Sequence, residues 1–250
     1  MNTKDLIIKA AIEEIIATNL PTHYLAEKSV DSNTIKPKSK YVWLLDAGHG
    51  GINPANGKYQ TKGKGFVFRD GLTIQEGVLN RDVLEIVLKL AKELPFELRY
   101  RLTAHNWRDT PLKERTITVN RVCLQEGASN CRLISIHHDG VAHIPKANGV
   151  GSFYQKKYSY KRSDYKELQD GSINLAKIIN KHQVIEMPQC KNRGIKPHNL
   201  HMMRESDCIS AFSEGAFMTN RKDAEYISSD LGKLSYAKAI IATILEVEIG

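Results

Sequence analysis

The stretch RLISIHH, residues 132–138, decides how the chain is built. Leucine and two isoleucines with a single serine among them read as a strand buried on both faces, as in a sheet covered by helices on either side. Two histidines end it. Similar short apolar runs occur at 41–47 (YVWLLDA), 96–103 (FELRYRLT), 151–155 (GSFYQ) and 209–215 (ISAFSEG), and helical patterns fall at 76–93, 112–126, 167–184 and 233–247. Strands separated by helices of this length predict βαβ units and a single α/β domain: a twisted, largely parallel β-sheet flanked by helices on both faces.

Upstream the pattern differs. Residues 4–18 place Leu6, Ile7, Ala10, Ala11, Ile15 and Ile16 at helical spacing, which predicts a short amphipathic N-terminal helix within a segment 1–26. Residues 27–40, polar and broken by Pro37, read as a linker, so the domain proper is assigned to 41–250. The N-terminal stretch has no signal-peptide pattern, because Glu13 and Glu14 interrupt its apolar run. The expectation is synthesis in the cytoplasm, with action elsewhere after release.

The 250 residues carry 36 Lys and Arg against 28 Asp and Glu, a formal charge of +8. That excess favours a polyanionic partner, yet it is not gathered into a block, and no nucleic-acid-binding signature accompanies it. Nucleic acid is therefore not expected as a partner. No apolar run reaches the roughly 20 residues of a membrane span. Cys123, Cys131, Cys190 and Cys208 show neither CxxC pairing nor zinc-finger spacing, and are read as reduced, partly buried thiols.

In open α/β sheets, ligands bind beyond the carboxyl ends of the strands. Three strand ends carry suitable residues: His49 after the first, in LLDAGHGG; His137 at the end of RLISIHH; and Glu214 in SAFSEGAF. Glu76 opens the helix EGVLNRDVLEIVLKLAKEL. Two imidazoles and a carboxylate make a catalytic zinc set with one position left for water, and a second carboxylate can serve as acid and base. Those residue types suffice for metal-assisted amide hydrolysis. They do not single it out, because the ligands are far apart in sequence, His49 also suits a glycine-rich loop, and Glu76 suits the first turn of any helix.

Six blocks in order narrow the choice: LLDAGHGG, EGVLNRDV, LTAHNWRDTPLKERTITVNR, LISIHHDG, RGIKPHNLHMMR and SEGAFMTN. Together they resemble the zinc-dependent N-acetylmuramoyl-L-alanine amidases of the Amidase_3 family, over residues 41 to about 247. The resemblance implies cleavage of the amide between the lactyl group of N-acetylmuramic acid and the L-alanine that opens the stem peptide. It implies Zn2+ as cofactor and peptidoglycan as partner, with His49, Glu76 and His137 matching the zinc ligands and Glu214 the catalytic glutamate. A monomer and a compact, endolysin-like lytic role are expected, with two alternatives: a host wall-remodelling amidase, or a zinc carboxypeptidase acting on another bond of the stem.

Adjacent strand residues point to opposite faces, so His137 and His138 are not expected to share an ion. His138 is left as a groove residue or a packed imidazole, and Asn199 and His201 join it as candidate substrate-binding residues. His198 and His201 are expected to face opposite ways if their segment is extended. Asp46 is read as a possible hydrogen-bond acceptor for a ligand imidazole. The glycine-rich, basic stretch between Ile52 and Gln75 reads as a loop beside the cleft, able to guide stem carboxylates.

Overall fold

A computed structural model describes residues 36–104, 106–141, 144, 146–156 and 163–250. The helix read at 4–18 and most of the linker, 27–35, lie outside the described residues.

Six strands form the main sheet: β1 (Val42–Ala47), β4 (Tyr100–Leu102), β5 (Cys131–Asp139), β6 (Val150–Gln155), β7 (Asn192–His198) and β8 (Ile209–Phe217). Their order is β4-β1-β5-β8-β6-β7. Every pairing is parallel except β6 with β8, so β6 and β7 run against the other four strands. The fold is the expected α/β architecture with a largely parallel sheet. A small hairpin, β2 (Gly65–Val67) with β3 (Thr73–Gln75), lies in the stretch read as a loop.

All six residues of β1 are buried, as a strand covered on both faces requires. Alternation sorts the side chains. Trp43 and Leu45 of β1, with Ile134 and Ile136 of β5, enter a large core; Val42, Leu44, Cys131 and Leu133 enter a smaller one on the other face. Helices α1 (Glu76–Leu90), α3 (Tyr165–Glu186) and α6 (Asp230–Ile249) close the large core, while α2 (Leu112–Glu126) and the single turn α4 (His201–Arg204) close the small one. Helix α5 (Arg221–Ser228) is capped by the Asn220 side chain, which accepts from the Asp223 amide.

Helix α6 is buried on nearly every side and packs against both α1 and α3. No helix among the described residues is long and apolar enough to cross a membrane. The four cysteines are buried free thiols.

The boundary read at Tyr41 falls inside the folded unit. Ser39 donates its amide to the Glu97 carbonyl, the Glu97 amide returns a bond to the Pro37 carbonyl, and Lys38 bridges Glu97 in parallel. Pro37 to Ser39 thus pair with Glu97 ahead of β4, because a backbone beside another unpaired segment finds its hydrogen bonds there.

Candidate metal centre and active site

Parallel register brings the functional strand ends together. Ala47 of β1 pairs with Ile136 of β5, and His137 of β5 pairs with Glu214 of β8. His49, two residues past β1, therefore shares one rim with His137 and Glu214. Glu76 arrives at that rim as the first residue of α1. No side chain caps this helix. Its first amides are instead taken by the preceding loop: Glu76 donates to the Lys64 carbonyl (3.0 Å) and Gly77 to the Tyr59 hydroxyl (3.0 Å).

His49 Nε2 lies 3.2 Å from Glu76 Oε2, and His137 Nδ1 lies 2.8 Å from Glu76 Oε1. Among the described residues these three form the one group able to hold a metal ion, with ligand atoms within 4.8 Å of one another. The donor set fits a catalytic zinc ion. Burial opposes the charge on Glu76, but its hydrogen bond with His137 and the close His49 imidazole win and hold the carboxyl below its ordinary range. Burial lowers His137, keeping the imidazole neutral. A carboxylate with a neutral imidazole is the protonation state a metal requires. His49 Nε2 is buried with no hydrogen-bond partner, an orphan that a cation would satisfy.

The approach is tight enough to dictate glycines. A Cβ on Gly48 would stand 2.0 Å from the His137 ring, and one on Gly77 would stand 1.9 Å from the Gly50 carbonyl oxygen. His49 itself has φ +63, a conformation that costs a non-glycine residue energy and is held by its surroundings. Two guanidinium groups provide the hold. Arg115 Nη2 (2.8 Å) and Arg81 Nη2 (2.7 Å) both donate to the His49 carbonyl. Arg115 also bonds Asp46 and the Ala47 carbonyl, each at 2.7 Å.

Asp46 differs from its sequence reading. Its oxygens accept from Arg115, from Ser135 (2.6 Å) and from Thr103, so it orients no ligand imidazole directly. A buried guanidinium demands a buried counter-charge, and Asp46 supplies it.

Glu214 lines a cavity of about 340 Å³ together with the three clustered residues, Lys64, His198 and His201. Its Oε2 has no hydrogen-bond partner, and burial, then the nearby Asp139 and Glu76 charges, raise its pKa well above that of an ordinary glutamate. The group is suited to hold a proton and pass it on.

The other candidates divide. His138 is 2 % exposed, with Nδ1 2.8 Å from Asn80 Oδ1 and its ring edge-on to Tyr236 at 5.3 Å. Its place on the strand packs it against the large core, where burial lowers its pKa to about 4, and it also lines the cavity, so the two readings of it are not exclusive. Asn199 is exposed, and its Oδ1 accepts from Gln155 (3.1 Å) and Arg204 (3.2 Å). Period-two alternation turns it outward between His198 and Leu200, which do line the cavity, so the groove contact expected of it is not present. His201 lines the cavity and lies 3.3 Å from Thr116 Oγ1. His198 and His201 both line the cavity; they face the same space because the segment is not extended throughout and the chain turns into α4 at Leu200.

Sequence reasoning passed over Arg81, Arg115, Lys64 and Phe212, whose ring stacks on His137 at 4.0 Å. A signal existed for Arg115: it shares the buried stripe of α2 with Val119 and Val122, an odd place for an arginine without a buried partner.

Fold and site together define an α/β protein with a three-ligand, metal-ready centre on the carboxyl rim of its sheet. The family model for Amidase_3, N-acetylmuramoyl-L-alanine amidase, matches residues 44–246, and the chain belongs to that family. It is 28% identical over 205 residues to an uncharacterized cell wall amidase of Bacillus anthracis, covering 81% of this chain but 34% of that protein. The chain thus spans about a third of that relative's length. Similar solved structures include an N-acetylmuramoyl-L-alanine amidase of Clostridium difficile 630 (22% identity, TM-score 0.64, 83% of this chain and 96% of that one). Another is the amidase AmiC2 of Nostoc punctiforme (22% identity, TM-score 0.64, 84% and 98%). Identities this low speak to the fold.

Proposed function

We propose that the protein is a zinc-dependent peptidoglycan hydrolase that cleaves the amide between the lactyl group of N-acetylmuramic acid and L-alanine. The observation carrying this reading is the convergence of His49, Glu76 and His137 beside a protonatable Glu214 in one cavity, within a chain of the Amidase_3 family. A zinc ion held by His49, Glu76 and His137 supplies Lewis acidity toward the scissile carbonyl and the attacking water. Glu214 takes the water's proton as the carbon–oxygen bond forms. It then gives that proton to the alanine nitrogen as the carbon–nitrogen bond breaks; its raised affinity for protons favours the first of these transfers. The apolar faces of Phe153, Phe212 and Met218 shield that exchange from bulk solvent. His201, on the same wall, is proposed to contact the substrate.

Within this reading the role is lytic and endolysin-like, and purified protein should clear suspensions of isolated cell walls. Digestion of peptidoglycan with and without a chelator, followed by mass spectrometry, tests the bond. New L-alanine amino termini on intact sugars, lost with the chelator, are expected; new reducing sugars or cuts within the stem would refute the assignment. Glu214→Ala should keep one equivalent of zinc while losing at least about a thousandfold in kcat. Full activity in that variant would require another base.

A further inference from the structure

We infer that Lys64 is a specificity-determining residue that binds the free α-carboxylate of the second stem residue, so that substrates amidated there are poor. The inference rests on the amidase reading and deepens it. Lys64 Nζ stands 4.0 Å from Glu76 Oε2 and lines the same cavity as the three clustered ligands and Glu214. Its backbone is fixed from two sides: the Lys64 carbonyl accepts from the Tyr59 hydroxyl (2.8 Å) and from the Glu76 amide (3.0 Å). The loop that carries it is further tied down where the Gly50 amide meets Thr61 Oγ1 (2.7 Å) and where Arg221 pairs with Asp70. Lys64 is thus held at the mouth of the site on an anchored scaffold.

Its ammonium is not consumed by the structure. Glu76 already gives one oxygen to each histidine, and the lysine side chain is 48% exposed where that of Glu76 is 3%. An ion held by the cluster would take up the remaining charge of Glu76, and Lys64, which also feels the Glu214 and Asp139 carboxyls, is the one lysine or arginine among the described residues lining the cavity. Extended peptide advances roughly 3.5 Å per residue, so a carboxylate on the second residue falls about 7 Å from the scissile carbonyl. A half-exposed lysine 4.0 Å from a Glu76 oxygen has the side-chain length to meet a group at that distance. Asp139 and Glu214 also line the cavity, while its apolar walls at Phe153, Leu200 and Met218 suit the uncharged parts of the stem.

The test uses the full chain loaded with zinc and four muramoyl tripeptides: unmodified, amidated on the second residue, amidated on the third, and amidated on both. Amidation of the second residue should lower kcat/KM by about tenfold, the size of one charge-assisted hydrogen bond lost, and amidation of the third should not. In Lys64→Met the penalty for second-residue amidation should collapse to within about threefold of unity, and Lys64→Arg should restore it. A wild type indifferent to second-residue amidation, or an undiminished penalty in Lys64→Met, would overturn the assignment. So would sensitivity confined to the third residue. If none of the four substrates is cut, the amidase reading itself fails, which is a separate outcome.

Discussion

His137 and His138 are adjacent in sequence and opposed in environment, and the pleat alone separates them. His137 faces Glu76, His49 and Phe212 at the rim, whereas His138 is packed between Asn80 and Tyr236 in the large core. The two should answer the same substitution differently. His137→Ala should lose zinc while unfolding in denaturant near the wild-type midpoint when both are compared without metal. His138→Ala should keep zinc and lose about 2–4 kcal/mol of stability, because it leaves a void and an unpaired Asn80 oxygen beside the large core. Equal metal loss in both would contradict this division. Space is equally selective at Gly48. An alanine there would drive a methyl group into the His137 ring, so Gly48→Ala should weaken zinc binding at least about tenfold, measured by chelator competition.

At the scale of elements, each ligand depends on something placed beside it. The loop after β1 is held by arginines from two helices, Arg81 from α1 and Arg115 from α2, both donating to His49. Arg115→Met would leave the Asp46 carboxylate buried and unpaired, which should cost about 3–5 kcal/mol in urea unfolding. Lysine cannot reproduce the fork that reaches Asp46, Ala47 and His49 at once, so Arg115→Lys should rescue little. The pair also sets an acid limit. Burial works against the Asp46 charge, but Arg115 outweighs it and the folded pKa lies below the ordinary value. Stability from this group is therefore fully present above about pH 4 and drains as pH falls through the depressed pKa. The wild type should lose more stability than Asp46→Asn as the pH of apo-protein unfolding is taken from about 5 to 2. Much of this level was legible in the sequence. The α2 span at 112–126 and the strands at β1, β5 and β8 follow from periodicity that burial enforces. Strand β7 does not, since NRGIKPH is an edge strand with little burial and both glycine and proline. The β2–β3 hairpin is too short and too exposed to leave a pattern. The stripe of α1 did carry a message: Glu76 and Asn80 occupy core positions one turn apart, ahead of Val83, Leu84 and Val87. Polar residues at such positions are kept for a partner, here His137 and His138.

Over the whole molecule, the proposed function gives the net charge and the rim separate tasks, adsorption to the wall and chemistry. The orientation of β6 against β8 could not be read from composition, yet it brings Gly151 opposite Glu214 and helps close the cavity's far wall with Phe153. The formal charge of +8 is spread along the sequence and does not form a nucleic-acid-type block. A diffuse positive field of this kind concentrates a protein on a polyanion and is screened once the Debye length falls from about 10 Å at 0.1 M salt to about 3 Å at 1 M. The contact proposed for Lys64 would act over a few ångströms, where screening is weaker. The two contributions should part in a salt titration. Rates on intact walls bearing acidic polymer should fall several-fold between about 0.05 and 0.5 M sodium chloride, through weaker adsorption, which sedimentation of the walls would measure. Rates on a soluble muramoyl tripeptide should change less, and walls stripped of their acidic polymer should lose most of the salt dependence. If stripped and intact walls responded alike, the charge would be serving the fold's own solubility, and adsorption would have to depend on the cavity and the residues around it.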